Sequence, residues 1–518
     1  MTQGFALTTP LFYVNALPHI GSAYPTMVAD AVARYYRLRG LPVRFITGTD
    51  EHGAKIERTA AERHLAPAEH CAQLVASFED LWQKLSIRYD AFIRTTAPAH
   101  AAIVREFFER VFRTGDIYKG RYTGLYCVGC EEFKKPEDLE PCQDAPGVLC
   151  CPLHRTPVRE QDEENWIFAL SRYQEKLERH YAEHPQFIQP DHRRTEVLNF
   201  VRRGLEDFSI SRANVSWGLP VPGDADQTIY VWFDALLGYV TALLEPGEAP
   251  TLDNALSRWW PVDLHLIGKD ILRFHAVYWP AMLLSAGLPL PKKVFAHGFV
   301  LDDRGRKMSK SLGNVVDPAA LAERFGADAV RYYFLRDAAF GDDLNFGEQR
   351  FKDLLNADLA NDLGNLLNRS LGLLVKNAGG QIPDARVPAD DPLRVQADAL
   401  AEGVAEAIEA LQFSLACDRV MAVVRAGNKY IATEEPWKLF KQGERQRAEA
   451  VLYNVLECVR LAAVLLSPLI PGVAADIYRQ LGFSDQAWEN LAWSAARWGG
   501  LPAGQSLAPG APVFPRLD

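Results

Sequence analysis

The chain has 518 residues, of which 48% are hydrophobic and 24% charged, with a formal net charge of −10 at pH 7. The length predicts several domains, the composition is that of a globular protein, and the negative charge disfavours a general polyanion-binding protein. The N-terminus lacks the pattern of a signal peptide. The longest charge-free apolar stretch, 461–475, is short for a membrane span and contains prolines. We therefore expect a cytoplasmic protein that does not enter a membrane.

Strand and helix patterns alternate along the first part of the chain. Apolar, β-prone runs predict strands at 5–15, 43–47 and 91–95, and amphipathic patterns predict helices at 22–39 and 98–113. This order is typical of a doubly wound parallel sheet. Ligands of such sheets bind beyond the carboxyl ends of the strands, and His19, Asp50 and His52 fall at such ends.

The pattern then changes twice. Gly, Pro and Cys become frequent over 116–215, which predicts an insertion. Strand patterns resume at 229–233, 264–267 and 295–301, and helical patterns with apolar stripes fill the chain after about 350. We predict an α/β protein in which a doubly wound parallel-sheet (Rossmann-like) domain carries an insertion and precedes an all-α helical bundle. The predicted segments are 1–115 and 216–300 for the two halves of the sheet domain, 116–215 for the insertion, 301–350 for a loop-bearing connection and 351–518 for the bundle.

Two stretches carry the strongest chemical signal. The first strand leads into Pro18-His19-Ile20-Gly21-Ser22 at a predicted helix N-terminus, where backbone N–H groups and the helix dipole attract anions. The loop 302–311 contains the cationic side chains of Arg304, Arg306, Lys307 and Lys310. A mobile cationic loop can stabilise charge on a triphosphate and then release pyrophosphate.

Together these stretches resemble the paired signatures of class I aminoacyl-tRNA synthetases. Lys307-Met308-Ser309-Lys310-Ser311 matches the Lys-Met-Ser-Lys-Ser loop letter for letter, whereas Ser22 stands where the first signature usually has His. Within the class, four further stretches are similar to the methionyl-tRNA synthetase family. They are Pro10–Asn15, Thr47–Gly53, Tyr230–Ala235, and Ile267–Ile271 with Phe274-His275.

The resemblance implies an ATP-dependent enzyme that forms methionyl-adenylate and transfers methionine to its tRNA, the initiator tRNA included. His19, Lys307 and Lys310 would be catalytic. The ATP site would comprise Asn15, His19, Gly21, Ser22, Gly268, Asp270, Lys307, Ser309 and Lys310. Asp50 would bind the substrate ammonium, and the methionine pocket would further comprise Leu11, Tyr13, Trp232, Ala235, Tyr239, Ile271 and His275. An apolar, aromatic pocket suits a thioether. Mg²⁺ would accompany ATP.

The cysteines of the insertion indicate a metal site. Cys127-x2-Cys130 and Cys151-x2-His154 have the spacing of a tetrahedral Cys₃His zinc site. Cys150 and Cys142 lie close enough to replace Cys151. In the resembling family this zinc is structural, and we expect one Zn²⁺ of that kind per subunit.

The helical bundle is expected to read the anticodon. Asn365 and Arg369 share one helix face, and Pro436-Trp437 follows a break. Amide, guanidinium and indole groups suit the recognition of exposed loop bases, and the resemblance implies contact with a CAU anticodon. Because no further tRNA-binding domain follows the bundle, we expect a monomer.

Three other interpretations stay open at this point. A cysteine-specific member of the class would hold its zinc at the substrate, and comparing activation of cysteine and methionine separates the two. A small nucleotidyltransferase of related fold needs neither the insertion nor the bundle. A zinc-bearing RNA-binding module that is not an enzyme would not require the cationic loop.

Overall fold

The structure is a computed structural model that describes residues 4–518 except 129–131, 143, 144, 146, 154, 214, 309–312 and 385–387; at 122 and 132 the backbone alone is described. The first elements alternate as predicted: β1 (Phe5–Tyr13), α1 (Ile20–Leu38), β2 (Val43–Asp50), α2 (Ala54–Glu62), α3 (Pro67–Lys84), β3 (Ala91–Arg94) and α4 (Pro98–Arg113). Prolines begin α3 and α4, where a missing N–H costs nothing.

The middle of the chain forms smaller antiparallel sheets. Its elements are β4 (Ile117–Cys127), β5 (Glu132–Lys134), β6 (Glu140–Pro141), β7 (Leu149–Cys150), β8 (Arg159–Phe168), α5 (Gln174–Glu183), β9 (Ile188–Gln189), α6 (Asp191–Arg202), β10 (Phe208–Ser209), β11 (Ser211–Arg212), β12 (Pro220–Val221) and β13 (Asp224–Ile229). β4 and β8 form a long antiparallel pair, and β10 and β5 complete a four-stranded sheet. β9 instead joins the main sheet, so the segment 116–215 also supplies one strand to it.

The next part of the chain completes the main sheet. It contains α7 (Val231–Ala235), α8 (Gly238–Thr241), α9 (Leu252–Leu256), β14 (Leu264–Gly268), α10 (Trp279–Ser285) and β15 (Val294–His297), with a π-helical turn at Phe274–Tyr278. The sheet has the order β3-β2-β1-β14-β15-β9, and its neighbours are parallel, which confirms the predicted sheet.

The strand predicted at 229–233 is wrong, because β13 ends at Ile229 and α7 follows. Trp232 and Phe233 have high β propensity. Two distant histidines nevertheless donate hydrogen bonds to Asp234, and these bonds stabilise the segment in its helical conformation. Tertiary contacts of this kind override local propensity.

The remaining elements are helical except for one short strand pair. They are β16 (Val300–Leu301), α11 (Pro318–Phe325), α12 (Ala327–Arg336), β17 (Leu344–Asn345), α13 (Glu348–Leu355), α14 (Asn365–Ala378), α15 (Pro392–Asp398), α16 (Leu400–Glu409), α17 (Phe413–Glu434), α18 (Pro436–Gln442), α19 (Arg445–Leu466), α20 (Pro471–Gln480) and α21 (Asp485–Glu489). The apolar stretch 461–475 covers the buried end of α19, the turn after it and the first half of α20. In the part of the chain described, no helix combines the length and apolar character needed to cross a membrane.

Two hydrophobic cores lie on opposite faces of the sheet. Leu7 and Phe45 belong to one core, while their neighbours Ala6 and Ile46 belong to the other, as the alternation of side chains along strands requires. The first core also contains α1 and the helical bundle. The bundle and the sheet domain are therefore joined by a continuous apolar interior.

Candidate active site

A cavity of 1060 Å³ lies at the carboxyl edge of the parallel sheet. It is bounded by the end of β1, the start of α1 and the loops after β14 and β15, the region in which such sheets bind ligands. Six residues predicted for ATP line it: Asn15, His19, Gly21, Gly268, Asp270 and Lys307. The predicted residues Ser309 and Lys310 lie outside the described part of the chain.

His19 and Ser22 together cap the N-terminus of α1. The Gly21 N–H donates to His19 Nδ1 at 3.0 Å, while the Ser22 hydroxyl donates to His19 O at 2.8 Å and accepts from His19 N–H at 3.1 Å. A Cβ on residue 21 would lie 2.8 Å from His19 Cε1, so glycine there leaves room for the ring. Ser22 is buried and does not line the cavity. Its hydroxyl proton is committed to the cap, which fixes the backbone at His19.

The loop after β14 depends on a glycine. A Cβ on residue 268 would lie 2.5 Å from Asp270 Oδ1, so glycine allows the carboxylate of Asp270 to turn back across the strand end. Asp270 thereby reaches the cavity. It presents a hydrogen-bond acceptor of the kind that hydroxyl groups of a sugar need.

His297 is a cavity residue that the sequence analysis missed. It ends β15, and it pairs in register with Gly268 of β14. Its Nδ1 donates to Gly298 O at 2.7 Å, whereas its buried Nε2 has no hydrogen-bond partner among the described residues. Burial lowers the pKa of His297, so Nε2 is an acceptor available to a ligand N–H or O–H. Its place at a strand end is the signal that could have found it.

The cationic loop is organised by one carboxylate. Asp302 accepts from the backbone N–H groups of Arg304 and Arg306 at 3.0 and 2.8 Å and pairs with the Arg306 guanidinium at 2.7 Å. A bond from Asn314 Nδ2 at 2.9 Å closes the base of the loop. These hydrogen bonds lower the pKa of Asp302. The charge of Arg306 is thus used within the loop, and Lys307 projects beside Phe299 at the cavity, 4.6 Å from the ring centroid.

A second, more apolar region adjoins this cavity. Tyr13 and Asp50 are register partners at the ends of β1 and β2, and Asp50 is buried. Trp232 of α7 stacks on Phe274 with ring centroids 4.0 Å apart. Leu11 approaches α8 so closely that a Cβ on Gly238 would lie 2.4 Å from its Cδ1. The structure thus collects the predicted methionine residues Leu11, Tyr13, Asp50, Trp232, Ala235, Tyr239, Ile271 and His275 around the ends of β1 and β2, α7, α8 and the turn after β14.

Two buried polar side chains in this region satisfy each other. The Tyr239 hydroxyl lies 2.8 Å from His275 Nε2, and His275 Nδ1 lies 3.0 Å from Ile271 O. Burial lowers the pKa of His275 to about 4 and raises the pKa of Tyr239. The neutral imidazole therefore donates from Nδ1 and accepts at Nε2, so the Tyr239 hydroxyl donates its hydrogen bond to His275 Nε2. A substrate side chain bound next to this pair therefore finds no available hydrogen-bond donor on it, which suits an apolar side chain.

The residues that follow Asp50 hold the end of β2. Buried Glu51 accepts from Arg94 at 2.7 and 2.9 Å and from Thr96 at 2.6 Å. His52 donates to buried Asp234 at 2.6 Å. These bonds fix the strand end from which Asp50 projects, and neither side chain lines the large cavity.

The whole length of the chain is similar to known proteins of one kind. The family model described as tRNA synthetases class I (M) matches residues 5–371, and the model of the anticodon binding domain of methionyl tRNA ligase matches residues 383–518. The chain belongs to the class I methionine–tRNA ligases. Among the relatives, the methionine–tRNA ligase of Thermosynechococcus vestitus is 55% identical over 100% of this chain and 98% of its own. That of a Nostoc species is 56% identical over 99% and 97%.

Solved structures of the same family share the fold. The methionyl-tRNA synthetase of Mycobacterium tuberculosis in complex with methionyl-adenylate aligns with a TM-score of 0.93 and 41% identity over 99% of this chain and 100% of its own. The free form of that enzyme aligns with a TM-score of 0.87 and 38% identity over 100% and 99%. The chain is thus an ATP-dependent methionine–tRNA ligase with a class I sheet domain and a helical C-terminal domain.

Two of the four predicted zinc ligands lie in the described part of the chain. The thiols of Cys127 and Cys151 are buried, while Cys130 and His154 lie outside the described residues. Cys142 and Cys150 form a disulfide between β6 and β7. Cys151 O accepts from Arg155 N at 2.7 Å, and Cys151 N donates to Thr156 O at 3.0 Å, so a tight turn begins at Cys151. The described residues alone contain no cluster of three metal-ligating side chains.

The predicted anticodon residues come together on two helices of the ligase. Exposed Asn365 begins α14, and Arg369 follows one turn later. The Arg369 guanidinium lies 4.8 Å from the ring centroid of Trp437 at the start of α18. Pro436 is the buried first residue of α18. An exposed amide therefore lies on the same surface as a half-buried cation–aromatic pair.

Proposed function

We propose that this ligase activates methionine where the two regions of the site meet, with ATP in the 1060 Å³ cavity and methionine between Asp50 and the Tyr239–His275 pair. One observation carries the proposal. Ile271 lines the ATP cavity, and its carbonyl oxygen accepts the hydrogen bond that orients His275. The two substrates thus meet across a single residue, so the methionine carboxylate reaches the α-phosphate.

The chemistry requires positioning and charge rather than a protein nucleophile. A carboxylate oxygen of methionine forms a bond to the α-phosphorus while the bond to pyrophosphate breaks in line. His19 and the positive end of the α1 dipole stabilise charge on the α-phosphate. Lys307 and Lys310 stabilise the leaving pyrophosphate, with Mg²⁺ entering as part of the ATP substrate. Asn15, Gly21, Gly268, Asp270 and Ser309 line the nucleotide, and Ser22 acts through the cap that holds His19.

The pocket favours a thioether because its polar side chains are already hydrogen-bonded to each other. Both ring nitrogens of His275 are engaged, and the Tyr239 proton is committed to one of them. A substrate with a polar end group would leave its own donors or acceptors unpaired in a buried site, which costs about 1–3 kcal/mol for each group. Asp50 supplies the one charge that the site requires, a partner for the substrate ammonium.

The second half-reaction joins the amino acid to tRNA. The 2′-hydroxyl of the terminal adenosine attacks the adenylate carbonyl and displaces AMP, as in other members of class I. The pair Arg369–Trp437, with Asn365 and Pro436, offers stacking and hydrogen-bonding surfaces to the bases of the CAU anticodon in elongator and initiator tRNA. Aminoacyl-tRNA is consumed in the cytoplasm, where we place the enzyme, and we assign it a monomeric state that sedimentation would test.

A structural Zn²⁺ fits the insertion. The disulfide removes Cys142 and Cys150 from the set of ligands, and the buried thiols Cys127 and Cys151 supply soft donors of the type that zinc prefers. Cys130 and His154 complete the set. Bound zinc would hold the turn at Cys151 against β4. Metal analysis of the purified protein should find one zinc per chain, lost in Cys151→Ser but retained in Cys142→Ser; the reverse pattern would overturn the assignment.

The reaction is tested by amino-acid-dependent ATP–pyrophosphate exchange with each standard amino acid. Methionine should stand out, and exchange with another amino acid at an equal or greater rate would refute the assignment. Lys310→Ala should slow exchange while changing the KM for methionine little, because the loop contacts pyrophosphate. A Lys310→Ala enzyme with the full exchange rate would remove the loop from the mechanism.

A further inference from the structure

A buried carboxylate lies behind the proposed methionine pocket. The side chain of Asp234 is 1% exposed, and its two oxygens accept from His52 Nδ1 at 2.6 Å and from His100 Nε2 at 2.7 Å. His100 Nδ1 in turn lies 2.9 Å from the Thr241 hydroxyl. Burial of an unpaired charge is costly, and here two imidazoles offset that cost. Although burial by itself would raise the pKa of Asp234, the two histidines bring it to about 2.

The network joins the elements that bear opposite ends of the substrate site. His52 follows Asp50 by two residues at the end of β2. Asp234 lies in α7 between Trp232 and Ala235, and Thr241 ends α8, which also carries Tyr239. The network thus connects Asp50, the proposed partner of the substrate ammonium, with the side-chain pocket through hydrogen bonds to the carboxylate of Asp234.

The short helix α7 needs such an anchor. It spans only Val231–Ala235 and has no side-chain cap at its N-terminus. A helix this short is unstable by itself, because few of its backbone groups bond within it. Its position relative to β2 therefore depends on tertiary bonds, and those of Asp234 lead directly to the strand that carries Asp50.

We infer that Asp234 is a positioning residue, which holds the helix bearing Trp232 and Ala235 at a fixed distance from Asp50 and thereby sets the length of side chain that the methionine site accepts. The inference rests on the proposed methionine pocket. It predicts a specific defect when the network is broken: α7 recedes from β2, and the site admits a longer side chain.

The test compares methionine with ethionine, which has one more methylene, in ATP–pyrophosphate exchange. A well-packed pocket discriminates by about 10–200-fold for one methylene, and Asp234→Asn should lower the ratio of the two kcat/KM values about tenfold, because the new amide N–H faces an imidazole N–H. The KM for ATP should stay within about twofold. The ratio does not depend on the fraction of folded enzyme, so a loss of stability alone leaves it unchanged.

Matched variants separate positioning from general damage. His52→Asn keeps a donor close to the place of Nδ1 and should retain the ratio, whereas His52→Leu should lower it. His100→Gln and His100→Leu form the same comparison at Nε2, and they decide the question if Asp234→Asn does not fold. Glu457→Gln is the control, since Glu457 forms an equally buried pair with Arg460 in α19, remote from the site.

An unchanged ratio in folded Asp234→Asn, or equal ratios for His52→Asn and His52→Leu, would overturn the inference and leave Asp234 a purely structural residue. Failure of the pocket itself gives a different result. If Trp232→Ala leaves the KM for methionine unchanged, the assignment of the methionine site fails before the role of Asp234 is in question.

Discussion

The hydrogen bond between Tyr239 and His275 offers the sharpest test of the methionine site. Tyr239→Phe removes the proton that His275 Nε2 accepts at 2.8 Å. His275 is fully buried and its pKa is lowered to about 4 by burial, so the ring does not take up a proton in compensation near neutral pH. Removal of the phenol oxygen opens a gap next to Nε2. We expect water to fill this gap in the free variant and bound methionine to exclude it, which leaves a buried acceptor unpaired.

The expected loss follows from that unpaired atom. An unsatisfied buried acceptor costs about 1–3 kcal/mol. A value of about 2 kcal/mol corresponds to a decrease of about 30-fold in kcat/KM for methionine. The assay is ATP–pyrophosphate exchange with methionine varied at saturating ATP, and the KM for ATP should change little because neither side chain lines the nucleotide cavity.

A double variant tests whether Tyr239 and His275 act as a pair. When His275→Leu is added to Tyr239→Phe, no polar atom of the pair is left unpaired, so the double variant should lose less activity than the two single losses combined. Additive losses would show that the two side chains act independently. A Tyr239→Phe enzyme within about twofold of the original in kcat/KM would refute the argument from burial altogether.

Three further predictions concern other parts of the chain. Gly268→Ala should raise the KM for ATP about tenfold, because its Cβ would lie 2.5 Å from Asp270 Oδ1, whereas Gly372→Ala, where the new Cβ meets nothing within 4 Å, should leave exchange kinetics unchanged. Trp437→Ala should lower kcat/KM for tRNA charging by at least about tenfold while pyrophosphate exchange stays unaffected, and an equal loss in both assays would contradict an anticodon role. Burial lowers the pKa of His275 to about 4 and also lowers the pKa values of His265 and His297. These groups therefore bind protons more readily in the unfolded chain, so their contribution to stability should be full above pH 6.5 and decline as the pH falls toward 4. A urea midpoint that does not change over this pH range, or that changes as steeply in His275→Leu, would contradict this prediction.

The position of strand ends accounts for much of what sequence alone could predict. His19, Asp50 and Gly268 follow or end parallel strands, and the structure brings all three to the carboxyl edge of one sheet. His297 obeys the same rule and was missed because no motif surrounds it. Asp234 could not be found in this way, since it is 182 positions from His52 and 134 from His100. Partnerships at that separation depend on how helices pack, which local patterns do not encode.

Ser22 makes a contact that the resemblance does not describe. The family signature suggested a phosphate ligand at this position, whereas the hydroxyl completes a reciprocal cap with the backbone of His19. A Ser three residues after a helix N-cap is able to make this bond. The cap is thus explained by the position of Ser22 in the first turn of α1, and its place in the ATP site stays a prediction.

The helix that begins at the ATP cavity also carries the junction with the helical bundle. α1 begins at Ile20, directly after its N-cap His19, and extends 19 residues to Leu38. Its Asp30 is fully buried with Arg331 of α12 at 2.7 Å, and Arg331 also donates to Leu469 O, between α19 and α20, at 2.7 Å. Near its end, Tyr35 donates to Glu409 of α16 at 2.6 Å. Breaking a buried ion pair costs about 3–5 kcal/mol. The bundle can therefore be displaced only if this pair breaks at that cost or if α1 moves with the bundle. A rigid helix thereby connects the domain assigned to the anticodon with the residue assigned to the α-phosphate.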